Sequence, residues 1–328
     1  MNVDFVDIEI FIIAYNRESL IKATIESLLK QTRAPSRICV VDNGSTDNTA
    51  KVVKSYSNQG VELVSRRQND PFKCFLEIQS MARGPWTMMF HDDDLLHPQY
   101  LRDVSYAIAK TPNASIAVSS MILSSIPEEI GWARTNWEKY HVVNRQELAR
   151  LLYAGFRMPF CSAVYRTDVL KRLDVKFHLY GKIFDRPFIL DALLAGPAVV
   201  MTGKYVNYRI HSGQDSTDYS TGPFLSEVFA LQKYYREILG EQIYSPYGRV
   251  FLRKNYSNLS REYCRRKESG ADIGSFPDFL RLAVDAGATS EKTLRLGAVY
   301  ASISNRVRKF EKVLKLKTNK HQWYYRGK

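Results

Sequence analysis

The feature that most constrains this chain is a repeated order: a short apolar run, a polar cluster, then a segment with helical spacing of apolar residues. Ile8 to Ala14 is nearly continuously apolar, as in a strand covered on both faces. Residues 18 to 31 follow, with Ile21, Ile25, Leu28 and Leu29 on one helical face. The order recurs with Arg37 to Val41 and a helix over 46 to 56, then with Val61 to Val64 and a helix over 72 to 83. It recurs again with Trp86 to Phe90 and a helix that Pro98 can open. Strands alternating with helices predict a parallel sheet covered on both faces.

Beyond residue 115 the pattern is mixed. Ile116 to Leu123, Ser162 to Tyr165 and Val199 to Ile210 read as strands, with helices near 145 to 154 and 185 to 195. After about residue 223 only helical candidates remain, over 223 to 239, 246 to 268, 275 to 286 and 290 to 316. The expected organisation is an α/β domain over residues 1–220 and a helical C-terminal domain over 221–328 that ends in a basic tail.

In open parallel sheets ligands bind at the carboxyl ends of the strands. The first strand is followed by Ala14, Tyr15, Asn16 and Arg17, the second by Asp42, Asn43, Gly44 and Ser45, the fourth by His91 and Asp92-Asp93-Asp94. Three polar clusters at three strand ends converge on one crevice. Neither GxGxxG after the first strand nor GxxxxGK[ST] anywhere is present, so this is neither a dinucleotide fingerprint nor a P-loop. Three adjacent carboxylates repel one another, and a hard divalent cation relieves that; a solvated loop at a helix start is the alternative. Asp42 and Asn43 suit base recognition or a turn. His211 can complete a metal site or be structural, and Arg209 beside it could meet a phosphate. Asp185 can cap the helix containing Pro187 or act as a general base.

Taken in order, these segments resemble glycosyltransferase family 2 over roughly residues 7 to 216. FIIAYNRESLIKATIESLLKQT looks like the family's first strand and helix, and RICVVDNGSTDNTAKVV like its second strand, nucleoside loop and helix. GPWTMMFHDDDLLHP looks like the strand that carries the metal-binding acids. The resemblance implies a GT-A fold, a Rossmann-like, mostly parallel sheet flanked by helices. It implies inverting transfer from a nucleotide sugar, with UDP as the nucleotide and dTDP as the alternative. The hydroxyl acceptor would be a glycan or lipid-linked glycan of bacterial surface polysaccharide synthesis, and the cofactor Mn2+ or Mg2+. By position, Ala14, Tyr15, Asn16, Arg17, Asp42 and Asn43 would hold the nucleoside. Asn69, Lys73 and Arg83 fall where the family contacts the nucleotide. Asp93, Asp94 and His211 would bind metal, with Asp92 on the donor and the division among the three acids left open. Asp185 matches the catalytic base, with Asp191 as the next candidate. Ala14, Asn43, His91 and Phe184 depart from the residues commoner in the family.

The net charge of +13 suits an anionic partner. A nucleic-acid binder would mix basic and aromatic residues on one element, whereas acids at strand ends repel a polyanion, so no nucleic acid is expected. A catalytically inactive nucleotide-binding module is the other rival. Cys39, Cys74, Cys161 and Cys264 form no CxxC pair, and reduced thiols are expected, with Cys39 and Cys161 as small core residues. The opening MNVDFVDIEIFIIAYNR lacks the pattern of a signal peptide, and no apolar run is long enough to span a bilayer. The expected location is cytoplasmic, peripheral on the inner face of the membrane. From Arg306 onward Arg306, Arg308, Lys309, Lys312, Lys315, Lys317, Lys320, Arg326 and Lys328 are opposed only by Glu311. Ile303, Val307, Phe310 and Leu314 share a helical face, and Trp323, Tyr324 and Tyr325 follow. Such a tail suits an anionic membrane surface; its apolar face could instead pack on the protein's own core or on a second copy in a homo-oligomer.

Overall fold

A computed structural model describes residues 5–124, 132, 139–211 and 225–299. They form two compact units, residues 1–231 and residues 232–328. The tail from residue 300, and residues 212–224, lie outside the described residues.

In the first unit the repeated order becomes β1 (Ile8–Ala14), α1 (Ile21–Leu29), β2 (Arg37–Asp42), α2 (Thr49–Lys54), β3 (Val61–Ser65), α3 (Pro71–Met81), β4 (Trp86–His91), β5 (Leu95–Leu96) and α4 (Tyr100–Ala109). There follow β6 (Ile116–Ser124), β7 (Tyr140–Val143), α5 (Arg145–Ala154), β8 (Val164–Arg166), α6 (Thr167–Leu170), α7 (Phe177–Tyr180), α8 (Asp185–Ala192) and β9 (Ala198–Arg209). One nine-stranded sheet has the order β3-β2-β1-β4-β8-β6-β9-β5, with β7 also on β9. β3, β2, β1 and β4 run parallel, as the apolar runs predict. Beyond them the sheet is mixed: β8 enters antiparallel between β4 and β6, and β5 and β7 run antiparallel to β9. The expectation of a mostly parallel sheet is met: β6 and β9 also pair parallel over nine residue pairs, and only the short strands β5, β7 and β8 run antiparallel, β8 being a three-residue strand that carries no pattern to fix its direction. The segment read as a strand from Ser162 starts two residues later. Residues 160–162 make one 3-10 turn instead, with the Ser162 hydroxyl bonded to the backbone of Ser119.

Alternate residues of β1, β2 and β4 (Ile10, Ile12, Val40, Met88, Phe90) are buried against Ile21, Ile25, Leu28, Tyr100 and Val104 of α1 and α4. This core holds the strand ends in one line, so their terminal polar residues face a common crevice. β9 does the remaining positioning. It pairs with β6 along its length, and on its other edge with β7 in its first half and β5 in its second. Between them lies Gly203, where a Cβ would meet the Tyr205 ring at 2.5 Å, so the strand bends at a residue with no side chain.

The second unit is helical among its described residues. α9 (Leu225–Leu239) spans the division, followed by α10 (Pro246–Glu268), α11 (Phe276–Asp285) and a helix over residues 291–299. Ser245 and Ser275 cap α10 and α11, the latter in a capping box with Asp278. Phe251, Leu252, Leu259, Phe279 and Ala283 are buried within the unit.

At the amino ends of the strands Glu9 is buried. It accepts from the Arg83 and Gly84 amides at 2.6 and 2.8 Å and from the Thr87 hydroxyl at 3.0 Å, with Arg37 at 3.6 Å. Removing that carboxylate takes the acceptor from the Arg83 and Gly84 amides and the inner partner from Arg37, while the Thr87 hydroxyl keeps Thr167 Oγ1 at 2.7 Å. Glu9→Ala is expected to cost about 3–5 kcal/mol of stability, read from a urea midpoint, whereas Glu62→Ala, which removes an exposed partner of Arg37, costs below about 1 kcal/mol.

Candidate active site

The loop after β1 is tied to its neighbours through its backbone. The Tyr15 amide donates to Asp92 Oδ2 at 3.0 Å, Asn16 to Ser45 Oγ at 3.0 Å and Arg17 to Thr49 Oγ1 at 2.7 Å. Asn16 sits at φ 51°, a conformation asparagine tolerates better than most residues. Its side chain accepts from the Thr46 amide at 2.8 Å. Arg17 Nε lies 3.3 Å from Asp92 Oδ1. Ala14 is wholly buried and accepts from the Asn43 amide at 2.8 Å.

In the loop after β2, Asp42 accepts from the Ser45 amide at 3.0 Å, an Asx turn. Gly44 is required there: its φ is 83° and a Cβ would lie 2.9 Å from the Gln68 carbonyl carbon. The Asn43 side chain is buried and largely engaged. It donates to Asn69 Oδ1 at 2.7 Å and accepts from Arg66 and, at 3.2 Å, from the Asp70 amide. Arg66 is further bound to the Asp70 carbonyl at 2.7 Å and to Glu77 at 3.1 Å. Asn43 thus organises the loop through Arg66, a residue the sequence reading passed over although it directly follows β3. Asn69 and Lys73 are exposed at the same rim, with Lys73 Nζ 3.4 Å from Asp70. Arg83 is not there. Its amide binds Glu9 at the amino ends of the strands, opposite the crevice, because it precedes β4 rather than following β3. This corrects its expected contact with the nucleotide.

The three acids have three different environments. Asp92 is buried, accepts from the Tyr15 amide and is ion-paired with Arg17. Burial and the charge of Asp93 push its carboxyl up to about 7, against the pull of Arg17. Asp94 is fully buried. Its Oδ1 accepts from the Arg209 amide at 3.0 Å, and its Oδ2 faces His91 Nδ1 at 3.2 Å and Cys161 Sγ at 3.1 Å. Asp93 Oδ2 meets His211 Nε2 at 2.9 Å across 118 residues. The β5–β9 register, Leu95 opposite Asn207, continues two residues back to set Asp93 beside Arg209 and so beside His211. Arg209 does not face outward toward a phosphate. Its buried guanidinium donates to the Asp93 carbonyl, to Thr24 Oγ1 at 2.9 Å and to the Leu20 carbonyl at 3.2 Å. Burial lowers its pKa, opposed by Asp93, Asp94 and Asp92.

Burial opposes a charge on His91, but the hydrogen bond to Asp94 and the charges of Asp94, Asp93 and Asp92 outweigh it and push the imidazole up to about 9. Its ring stacks on Phe160, centroids 6.2 Å apart, and Phe160 lies 6.2 Å from Phe184. Asp185 follows directly, in the first turn of α8, with 31% of its side-chain surface open and Arg186 Nε at 3.6 Å. Burial raises its pKa, while Arg186 and His91 restrain the rise. Asp191 is no substitute as a base: Arg145 and Lys176 hold its two oxygens at 2.7 and 2.8 Å.

The model of the family described as glycosyl transferase family 2 matches residues 9–174. A chondroitin synthase of Pasteurella multocida is 27% identical over 172 residues, which are 49% of this chain and 17% of that protein. The chain therefore spans about a sixth of that relative. Among solved structures, S. aureus TarS 1-349 in complex with UDP-GlcNAc superposes with a TM-score of 0.63 at 18% identity, covering 93% of this chain and 92% of the other. The mannosyltransferase PcManGT of Pyrobaculum calidifontis, in complex with GDP-Man and Mn2+, gives 0.52 at 13% identity, covering 93% and 88%.

The hold of Arg209 on the acid loop has a measurable consequence. Arg209→Met keeps the bulk but removes donors from two carbonyls and a hydroxyl, and is expected to lower stability by about 3 kcal/mol in urea unfolding. Arg209→Lys does not restore it, since an ammonium lacks the guanidinium fork. An unchanged midpoint in the methionine variant means that the acid loop is held by something else.

Proposed function

The chain belongs to glycosyl transferase family 2 and is a glycosyltransferase of GT-A fold, and on that premise we propose inverting transfer of a sugar from a UDP-sugar to a hydroxyl of a glycan or lipid-linked glycan. The observation that carries this reading is the Asp93–His211 pair at the ends of β4 and β9, with Asp185 across His91 and Phe160 from it. UDP as the nucleotide draws support from the UDP-GlcNAc complex of TarS, and a polysaccharide product from the likeness to chondroitin synthase.

A divalent cation fits the residues present. Three carboxylates crowd one loop, Arg209 is engaged with carbonyls as well as facing them, and burial and the charge of Asp93 push Asp92 up to about 7 even with Arg17 beside it. Asp93 and His211 would hold Mn2+ or Mg2+, which when bound neutralises the departing diphosphate. Asp94, with both oxygens engaged inside the protein, holds the loop in place, and Asp92 orders the nucleoside loop through Tyr15 and Arg17. Asp185 takes the proton of the acceptor hydroxyl as its oxygen bonds to the anomeric carbon. The bond from that carbon to the diphosphate oxygen breaks on the opposite face, so the configuration inverts. Burial keeps the Asp185 carboxyl above the ordinary range, making it a stronger base than a solvated aspartate.

Asp93→Ala is expected to abolish transfer and most metal-dependent donor binding; full activity in excess EDTA sinks the assignment. Asp185→Asn is expected to lose about 10²–10⁴-fold in turnover with donor binding nearly intact. The wild-type rate falls with decreasing pH through the raised value of Asp185, above the ordinary aspartate range, because the proton then occupies the base. That acid limb is absent from the residual rate of the asparagine variant.

The basic charge is segregated. Residues 232–328 hold 21 Lys and Arg against 9 Asp and Glu, a net +12 of the chain's +13. Among the described residues no helix is long and apolar enough to cross a membrane. Peripheral attachment to an anionic leaflet at the cytoplasmic face, each basic residue near it contributing about 1 kcal/mol, would present a lipid-linked acceptor to the crevice. Full-length protein is expected to sediment with anionic but not neutral liposomes, and a chain ending at Lys315 to do so less. Equal, salt-insensitive behaviour of the two leaves the tail without a membrane role.

A further inference from the structure

We propose that His91, Asp94 and Cys161 form a second cation site, selective for soft and borderline divalent ions such as Zn2+ and Cd2+, distinct from the Asp93–His211 pair. The sequence keeps Cys161 far from His91 and Asp94, and strand pairing brings it to them. His91 ends β4, Asp94 lies three residues on, and Cys161 sits in the turn that leads into β8, the antiparallel neighbour of β4. One nitrogen, one oxygen and one sulfur lie within 4.8 Å of one another.

The spacing suits a tetrahedral ion. Zinc bonds of about 2.0–2.3 Å place ligand atoms roughly 3.3–3.7 Å apart. Asp94 Oδ2 lies 3.2 Å from His91 Nδ1 and 3.1 Å from Cys161 Sγ, and His91 Nδ1 and Cys161 Sγ lie within 4.8 Å of each other, so a small rearrangement of the side chains brings all three to the ion. The ligands are already oriented from behind, as metal ligands require: Asp94 Oδ1 by the Arg209 amide at 3.0 Å, and the His91 ring by stacking on Phe160. Asp94 and Cys161 are fully buried, while 38% of the His91 side-chain surface is open. That side supplies the entry path and a fourth position for water. On binding, the Cys161 S–H bond and the His91 Nδ1–H bond break, sulfur–metal and nitrogen–metal bonds form, and both protons pass to solvent. Thiolate and imidazole favour zinc and cadmium, whereas Mn2+ and Mg2+ favour oxygen, so the two sites select different ions.

Cadmium titration of the full chain tests this without donor or acceptor, so its result is independent of the reaction assigned above. Cys264, the exposed thiol, is first replaced by serine. One equivalent of Cd2+ is expected to bind with an ultraviolet thiolate-to-cadmium charge-transfer band. Cys161→Ser in that background removes the band, His91→Asn weakens binding at least about tenfold, and excess Mn2+ leaves the band in place. The proposal is overturned by absence of the band in folded Cys264→Ser protein, by its survival in Cys161→Ser, or by its loss to stoichiometric Mn2+. Should Cys161→Ser fail to fold by circular dichroism, His91→Asn decides, and unchanged affinity in that variant overturns the site.

Discussion

The antiparallel pairing of β5 with the end of β9 is the constraint on which the candidate active site depends. It is only two residues long on the β5 side, yet it holds a loop of three carboxylates whose mutual repulsion would otherwise drive them into solvent. Arg209 makes the hold firm. Its amide binds Asp94, and its guanidinium ties the Asp93 carbonyl to α1 through Thr24 and Leu20. Once this end of β9 is fixed, His211 falls against Asp93 as a consequence of register alone.

Within that frame the acids divide their work by the partners they meet. Asp92 and Asp94 satisfy protein donors and are shielded from water, so they order the loops that converge on the crevice. The Asp93 carboxylate instead meets His211, at 2.9 Å. The same division appears in the loop after β2, where Asn43 is held by Arg66 and Asn69 instead of pointing freely outward. A site built of charged groups stays rigid without a ligand because most of them bind one another or the backbone. Asp185 stands apart from this network on α8, joined to it by the aromatic contact through Phe160 and by the field of His91.

The division of charge follows a similar logic on a larger scale. The first unit, nearly neutral overall, concentrates acids at one line of strand ends. The basic excess lies in residues 232–328.

The sequence by itself determined the first four parallel strands and their helices, because a buried parallel strand must be apolar on both faces and a covering helix must repeat every three to four residues. It also determined the chemistry at the strand ends, since Asp92, Asp93 and Asp94 are adjacent in sequence, as are Asp42 and Asn43, and each cluster is visible without a fold. The pairing of residues far apart was decided by tertiary structure. The antiparallel entry of β8, the bend of β9 at Gly203, the role of Arg66 behind Asn43, and the placing of Arg83 at the wrong end of the sheet for a nucleotide all depend on register and strand direction. So does the meeting of Cys161 with His91 and Asp94. A short strand has no periodicity long enough to encode those choices; they follow from which backbone edges remain unpaired once the longer strands have formed.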